Sequence, residues 1–253
     1  MRRAILLATA LLAAGSAGAD DAMRSGATYL PPATQAMQDE DAANPGMLWV
    51  TAGERLFATF EGQEGRSCQS CHGPVESGLQ DVAATYPKVD PATKTLKNLQ
   101  AQIAVCRKDR MQATPWSYES EQMVAVTAYL RYQVRGQRMR VSIDGPAIPF
   151  FQAGEAAFNR RQGTLNLACK NCHVDSAGKR ARDVTLSQGQ TNGFPAYGLG
   201  SERVGSAHRR FRACNLLVGA APRPYGDPEY VNLELYLAWR GRDLRIETPA
   251  VRD

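Results

Sequence analysis

Helical periodicity dominates the pattern of apolar and polar positions along the chain. Two segments carry apolar residues three or four positions apart, namely Met123, Val126 and Leu130 in one and Tyr230, Leu233 and Leu237 in the other. This spacing places the apolar side chains on one face of a helix, so each segment predicts an amphipathic helix. Alternating patterns typical of strands are sparse, which indicates a mostly helical protein.

A further helix is predicted to begin near residue 51. The run Thr51-Ala52-Gly53-Glu54 matches a capping box, in which a hydroxyl side chain and a later Glu satisfy free amide groups at a helix start. Leu56, Phe57 and Phe60 would then form the buried face of this helix. We therefore expect the first domain to begin at residue 51, after an N-terminal extension over residues 20–50.

The pattern recurs in the second half of the chain. Gly154, Glu155 and Phe158 follow Gly53, Glu54 and Phe57 at an offset of 101 residues, and Leu235-Tyr236-Leu237 follows Ala128-Tyr129-Leu130 at an offset of 107. Self-similarity of this kind indicates an internal duplication. Gly145-Pro146 marks the expected linker, which gives one domain over 51–145 and a second over 146–253.

The N-terminus has the composition of a signal peptide. Met1-Arg2-Arg3 is basic, Ala4 to Ala14 is apolar, and Ala17-Gly18-Ala19 resembles a cleavage site, so residues 1–19 are predicted to be removed on export. The apolar run is too short to span a bilayer, and no later run is long enough. We expect a periplasmic protein without a membrane span.

The charge pattern excludes one class of partner. The full chain has a net charge of +5, which falls to about +3 without the arginines of the signal peptide. The basic residues are dispersed and have no aromatic interleaving, so nucleic-acid binding is not expected. A mild positive charge suits an anionic substrate or an acidic partner.

The repeated motif of the chain is C-x-x-C-H, at Cys68-Gln69-Ser70-Cys71-His72 and again at Cys169-Lys170-Asn171-Cys172-His173. This is the attachment sequence for c-type haem, in which two thiols form thioethers and the His binds the iron. We predict two covalently attached haem c groups, held by Cys68 and Cys71 and by Cys169 and Cys172. With the helical pattern, this favours an all-α fold of two tandem cytochrome c domains. A redox dithiol and a zinc site are the alternatives.

Two cysteines lie outside the motifs. Cys106 ends an apolar helical stripe with Leu96, Leu99 and Ile103, and Cys214 lies on a comparable stripe with Val204, Ala207 and Phe211. Cys106 follows His72 by 34 residues and Cys214 follows His173 by 41, which is enough chain to reach the far side of each haem. We predict His72 with Cys106 as ligands of the first iron, and His173 with Cys214 as ligands of the second.

Other ligands compete with these cysteines. Methionines Met111, Met123 and Met139 are available in the first half, whereas the second half has no methionine after Met139 and only His208 as another strong donor. A disulfide between Cys106 and Cys214 is a further possibility in an oxidising compartment, and an inert thiol in the core is the third for Cys214.

Comparing the halves reveals two arginines specific to the second. Arg210 precedes Cys214 by four residues, where Gln102 precedes Cys106, and Arg240 corresponds to Gln133 at the offset of 107. A shift of two residues would instead pair Arg240-Gly241 with Arg135-Gly136 and weaken the second comparison. Arginine binds oxyanions through a fork of donors and lowers the pKa of a nearby thiol. Solvated surface positions are the alternative interpretation of both residues.

The chain resembles the SoxA family, the dihaem c-type subunits of the sulfur-oxidising SoxAX complex. The similarity covers nearly all of the mature chain and is most specific in four runs, which are Cys106-Arg107 to Met111, Arg210-Phe211-Arg212-Ala213-Cys214-Asn215, Pro224-Tyr225-Gly226 and Glu229 to Arg240.

This resemblance implies two cytochrome c domains with His/Cys-ligated haems and a SoxX-like monohaem partner. It also implies L-cysteine S-thiosulfotransferase activity, in which thiosulfate is joined oxidatively to a cysteine of the SoxYZ carrier and two electrons leave through haem to an acceptor cytochrome. The family's active-site cysteine maps to Cys214 and its substrate-binding arginines map to Arg210 and Arg240, with Arg242 open as another choice for the second arginine.

Two other functions fit the same residues. One is a thiosulfate dehydrogenase that forms tetrathionate without a carrier protein, and the other is a non-enzymatic dihaem electron carrier.

Overall fold

The structure is a computed structural model that describes residues 22–252. The predicted signal peptide over 1–19 and its cleavage site lie outside the described residues. Within 22–252, no helix combines the length and the apolar character that crossing a membrane requires.

Helices are the main regular structure of the described chain. They are α1 (Pro32–Asp39), α2 (Met47–Ala58), α3 (Cys68–His72), α4 (Val75–Gly78), α5 (Leu99–Val105), α6 (Glu121–Tyr132), α7 (Ile148–Asn159), α8 (Cys169–His173), α9 (Ala207–Leu217) and α10 (Pro228–Arg240). A π-helical turn, Cys106–Arg110, continues α5, and short 3-10 turns occupy Gly26–Tyr29, Val82–Thr85, Gly145–Ala147 and Leu199–Ser201. The mostly helical prediction is confirmed.

A few short strands accompany the helices. Strands β1 (Lys88–Val89) and β2 (Leu96–Lys97) form one antiparallel pair, and β3 (Arg180–Ala181) and β4 (Val184–Thr185) form another. In a three-stranded sheet, β5 (Ala196–Gly198) lies between antiparallel β6 (Arg203–Gly205) and parallel β7 (Ala250–Arg252). Ala196 pairs with Gly205 on one side and with Ala250 on the other. These strands are two or three residues long, too short to give a periodic sequence signal.

In the first half, α2 packs directly on α6. A Cβ atom at Gly53 would lie 2.6 Å from the carbonyl carbon of Ala125 and 2.7 Å from Cβ of Tyr129, so only glycine permits this approach. One turn later, the Phe57 ring lies 5.6 Å from the Tyr129 ring. The larger apolar core surrounds this contact and includes Val50, Phe57, Leu99, Ile103, Met123, Val126 and Leu130.

In the second half, α7 packs on α10 through the corresponding residues. A Cβ atom at Gly154 would lie 2.7 Å from the carbonyl carbon of Asn232 and 2.9 Å from Cβ of Tyr236. The Phe158 ring lies 5.3 Å from the Tyr236 ring. These positions follow their counterparts in the first half at the offsets of 101 and 107, and a smaller core of Phe158, Leu233, Tyr236 and Leu237 surrounds them.

Two expectations for the start of the first domain are wrong. Helix α2 begins at Met47, so Thr51 lies inside the helix and does not cap it. The apolar run of residues 47–50 adds a turn, and the Asn44 side chain accepts from the Gly46 amide at 2.9 Å just before it. Phe60 is 67% exposed, because the backbone becomes extended at Thr59 and turns Phe60 away from the buried face.

The N-terminal extension packs against the C-terminus of the chain. The Asn44 side chain donates to the Pro249 carbonyl at 2.8 Å, and the Gln38 side chain accepts from the Val251 amide at 3.2 Å. Both polar side chains are buried. The described part of this extension, 22–50, thus includes helix α1 and contacts the end of the second half, an arrangement that the sequence did not predict.

Candidate haem sites and their cysteines

Each C-x-x-C-H motif forms a single helical turn with a polar cap. In α3, Ser67 and Ser70 each accept from the other's backbone amide at 3.0 Å. In α8, the Asn171 side chain accepts from the Ala168 amide at 2.9 Å. Because both helices begin at the first cysteine, the two thiols and the histidine of each motif share one turn, as haem attachment requires.

An apolar cavity of about 150 Å³ lies beside the first motif. Cys68 and His72 line it from α3, and Cys106 lines it from the end of α5. The other lining side chains are mostly apolar and include Phe57, Leu99, Ile103, Val126 and Leu130. Burial and the nearby charge of Cys106 raise the pKa of the Cys68 thiol to about 11, so the two sulfurs share this low-dielectric space. The donor set fits haem c.

The competing methionines do not line this cavity. Met111 and Met123 are buried elsewhere, and the Met139 sulfur accepts from the buried Arg131 guanidinium at 3.2 Å. Cys106 is therefore the sulfur donor that this geometry offers to the first site.

A buried arginine that the sequence did not single out follows Cys106. Arg107 is 3% exposed and pairs with Glu61 at 2.5 Å, while its guanidinium lies 3.5 Å from the centre of the Trp116 ring. It also donates to the Thr114 carbonyl. These contacts fix the π-helical turn that carries Cys106.

The helices that carry the two spare cysteines are in register from their N-caps. The Asn98 side chain caps α5 eight residues before Cys106, and the Ser206 side chain caps α9 eight residues before Cys214. Gln102 and Arg210 therefore occupy the same position in the two helices. In the first half, the Gln102 amide donates to the Cys106 sulfur at 3.4 Å.

After the cysteines, the two halves differ by one residue. The Met111 amide donates to the Cys106 carbonyl five residues back at 3.1 Å, whereas the Val218 amide donates to the Cys214 carbonyl four residues back at 3.2 Å. The π-helical turn thus absorbs one additional residue in the first half. This explains why the offset between halves is 108 at the cysteines and 107 beyond them.

The second site gathers the remaining cysteines. Burial raises the pKa of the Cys214 thiol, the charge of Arg210 opposes this shift, and the charge of Cys172 reinforces it. Burial and the charge of Cys214 raise the pKa of the Cys169 thiol to about 11. The sulfurs of the motif and of α9 therefore lie within electrostatic range of one another, beside Arg210.

The motif histidine of the second site is firmly oriented. The His173 Nδ1 lies 2.8 Å from the Ser187 carbonyl, which favours the tautomer that leaves Nε2 available to a metal. Burial lowers the pKa of His173, the bond to Ser187 opposes this, and the charges of Arg240 and Arg210 lower it further. Both predicted arginines thus act on the same histidine.

The structure also distinguishes Arg240 from Arg242. Arg240 is half-buried, its Nη1 donates to the Gln188 carbonyl at 3.2 Å, and its guanidinium lies 4.6 Å from the centre of the Phe158 ring. Arg242 is exposed and lies over the Trp239 ring. Arg240 is the arginine that lies near His173.

Two alternatives to a Cys214 ligand, His208 and a disulfide with Cys106, find no support. His208 is fully buried, its ring stacks on Tyr118 at 4.8 Å, and its two nitrogens lie 3.2 Å from the Gly226 amide and the Glu234 carboxylate. All six cysteines are free, so Cys106 and Cys214 form no disulfide. Across residues 22–252, no three His, Cys, Asp or Glu side chains cluster as a zinc site would require.

Two capped C-x-x-C-H turns in a mostly helical fold define a c-type cytochrome, a class that binds haem covalently. Residues 52–139 match the family model described as SoxA/TsdA, cytochrome c domain. The chain is 38% identical to L-cysteine S-thiosulfotransferase subunit SoxA of Rhodovulum sulfidophilum, over 92% of this chain and 81% of the relative. It is 40% identical to the subunit of the same name from Pseudaminobacter salicylatoxidans, over 90% and 80% of the two chains.

A solved structure agrees with these relatives. The crystal structure of SoxXA from P. pantotrophus contains a chain that matches with a TM-score of 0.88 and 35% identity, over 91% of this chain and 87% of that one. The protein belongs to the SoxA family.

Proposed function

We propose that this protein is the haem-containing subunit of an L-cysteine S-thiosulfotransferase, which joins thiosulfate oxidatively to a cysteine of a SoxYZ carrier protein. The observation that carries the proposal is the difference between two otherwise matching sites. Arg210 lies one helical turn before Cys214, and both Arg210 and Arg240 act on His173, whereas the first half has Gln102 and Gln133 at the corresponding positions. The names of the relatives support the same activity.

The chain is proposed to carry two haem c groups. Cys68 and Cys71 would attach the first, and His72 and Cys106 would bind its iron; the shared cavity supports this set. Cys169 and Cys172 would attach the second, and His173 and Cys214 would bind its iron. The hydrogen bond between His173 and the Ser187 carbonyl supports the second set, as do the effects of the three cysteines on one another's thiol pKa values.

The two halves are proposed to be tandem cytochrome c domains, 51–145 and 146–253, related by internal duplication. The recurrent glycine and aromatic contacts between opening and closing helices support this. The family model, which matches residues 52–139, falls within the first domain.

The residues suggest how thiosulfate would be handled. Arg210 and Arg240 would bind the dianion by charge-assisted hydrogen bonds and hold its terminal sulfur against the Cys214 sulfur. An S–S bond would form between these sulfurs, and the carrier's thiolate would then attack the sulfur derived from thiosulfate and release Cys214. Overall, one thiosulfate and one carrier thiolate become a cysteine S-thiosulfonate and two electrons. When bound, the haem supplies the redox chemistry that takes up these electrons.

Partners and location follow from this proposal. A SoxX-like monohaem subunit is supported by the match to a SoxXA structure, and an acceptor cytochrome would remove the electrons. Export directed by the signal peptide would deliver the protein to the periplasm, where haem attachment takes place.

The function is tested with the Cys214→Ala variant in the complete complex. We expect it to retain both haems, because their thioethers come from other cysteines, and to lose thiosulfate-dependent modification of the carrier. Retained modification would refute the assignment of Cys214. Tetrathionate formed without a carrier would favour a thiosulfate dehydrogenase, and no reduction of the haem by thiosulfate, with or without carrier, would favour a simple electron carrier.

A further inference from the structure

Three consecutive residues connect the functional groups of the second site. The Ser187 carbonyl accepts from His173 at 2.8 Å, and the next carbonyl, of Gln188, accepts from Arg240 at 3.2 Å. Gly189 follows with φ +77°, and a Cβ there would lie 2.9 to 3.1 Å from the His173 ring atoms. We name residues 187–189 the bridging loop.

The bridging loop has a tight and specific shape. The positive φ favours glycine at position 189, and the space beside the imidazole leaves little room for a side chain. The Gly189 amide donates to the Ser187 hydroxyl at 3.3 Å, which closes the turn. The orientation of the motif histidine and that of the Arg240 guanidinium are thus set by adjacent peptide units of one short turn.

The N-terminal segment holds this loop in place. The Gln188 side chain is buried, and its amide accepts from the Arg24 backbone amide at 2.8 Å and donates to the Ala22 carbonyl at 3.3 Å. It therefore pairs with the backbone on both sides of Met23. The Gln190 side chain is also buried and donates to the Met23 sulfur at 3.1 Å and to the Gln188 side chain at 3.1 Å.

The first half has no such arrangement. Among residues 22–252, no carbonyl accepts from the His72 ring, and His72 is exposed where His173 is half-buried. Gln133, the counterpart of Arg240, follows the end of α6. If the only role of these contacts were to hold a motif histidine, both halves would need them. Because they occur in the second half alone among the described residues, they point to the specific chemistry of the second site.

We propose that residues 22–24 and the bridging loop form a positioning device that couples the proximal histidine to the anion-binding arginine. Gln188 is its central positioning residue: its backbone carbonyl orients Arg240, and its side chain fixes the loop to the N-terminal segment. The inference rests on the proposed function, in that Arg240 binds an anion and His173 binds the second iron.

The test compares Gln188→Leu with Gln38→Leu in the full chain. Both glutamines are buried and both fix the N-terminal extension to the body, but Gln38 contacts the C-terminal strand and not the bridging loop. Electron paramagnetic resonance of the ferric protein separates low-spin haems, and Cys214→Ala assigns the signal of the second site. Sulfite and thiosulfate affinity are measured by titration of the haem spectrum.

We expect Gln188→Leu to shift the signal of the second haem, leave that of the first unchanged, and weaken anion binding by about tenfold, as loss of an outer-shell partner does. Gln38→Leu should lower stability and change neither the signals nor the affinity. An unchanged second signal and affinity in Gln188→Leu would overturn the inference. Equal shifts in both variants would also overturn it, because general loosening would then explain them.

A measurement on the unmodified protein covers the case in which Gln188→Leu does not fold. Hydrogen exchange of the peptide that contains Arg24 should slow when sulfite binds. If the N-terminal segment favours anion binding at Arg240, a bound anion must stabilise that segment in return. Exchange that does not respond to sulfite would contradict the inference. The electron paramagnetic resonance spectrum of the wild-type protein distinguishes failure of the proposed function from failure of this inference. If it shows no second thiolate-ligated haem, the proposed function is wrong. If it shows that haem but Gln188→Leu changes neither the second signal nor the anion affinity, only the role of the bridging loop is wrong.

Discussion

Replacing Gly154 with alanine should force apart the two helices that frame the second site. The added Cβ would lie 2.7 Å from the carbonyl carbon of Asn232 and 2.9 Å from Cβ of Tyr236, where ordinary contacts begin at 3.4 Å. Backbone atoms cannot rotate away as a side chain can. The Asn232 carbonyl oxygen lies closer still, so helix α7 must move from α10 by more than about 0.7 Å, which loosens the packing around it.

The loss in free energy of unfolding caused by Gly154→Ala combines two opposing effects. Overpacking a well-packed contact costs about 1–3 kcal/mol, and the upper end applies because the obstacle includes backbone. Alanine has a higher helix propensity than glycine by about 1 kcal/mol, which offsets part of this. The net loss is about 2 kcal/mol, or about 4–8 °C in the midpoint of thermal unfolding for a chain of this size.

The assay is thermal unfolding followed by circular dichroism on holoprotein of matched haem content. Gly53→Ala is the counterpart in the first half and should lose a similar amount, because its Cβ would meet Ala125 and Tyr129 at comparable distances. Gly200→Ala is the control, since nothing lies within 4 Å of a Cβ at that position. Only Gly154→Ala should also weaken thiosulfate binding, because α10 carries Arg240. A midpoint for Gly154→Ala equal to that of Gly200→Ala would refute the packing argument.

Further predictions concern charges in the second half. Arg210→Gln, which installs the residue of the first half, should weaken thiosulfate binding by about 10- to 100-fold, as loss of a charge-assisted hydrogen bond does. Gln102→Arg should have no effect on thiosulfate binding. An unchanged dependence of rate on thiosulfate concentration in Arg210→Gln would contradict the role of this arginine. Glu229 is partly buried, which raises its pKa, but the hydrogen bond from Arg160 and the charges of Arg160 and Arg223 outweigh this and hold the pKa below 4.5. Its ion pairs therefore stabilise the fold above pH 4.5 and are lost as the pH falls through the folded-state pKa. The stability difference between wild type and Glu229→Gln, measured by denaturation at several pH values, should shrink as the pH is lowered below 4.5, and a constant difference would contradict this assignment.

The features that sequence reasoning predicts best have a strict spacing. The C-x-x-C-H turns, the two closing helices and the paired positions of Gln102 and Arg210 all follow from helical periodicity and from comparison of the halves. The start of α2 is predicted wrongly because a capping-box pattern at Thr51 also occurs inside a longer helix. Local patterns of this kind do not identify which of several compatible turns begins the helix.

What the sequence could not supply is contact between distant segments. Gln188 lies 164 residues from Arg24 in the chain, in a polar stretch without periodicity, and only the folded chain brings its side chain to the N-terminal segment. The same holds for Arg107 and Glu61, whose pairing fixes the turn at Cys106. The π-helical turn itself could be inferred only after the fold had aligned the two halves residue by residue.

The Cys214 sulfur, which we propose lies between the second haem and two arginines, would transfer thiosulfate to a carrier cysteine. Mass spectrometry of the carrier after incubation with thiosulfate, an electron acceptor and the complete complex tests it most directly. The wild-type protein should form a thiosulfonate on the carrier cysteine, and Cys214→Ala should form none at equal haem content. A thiosulfonate formed by Cys214→Ala at the wild-type rate would contradict it.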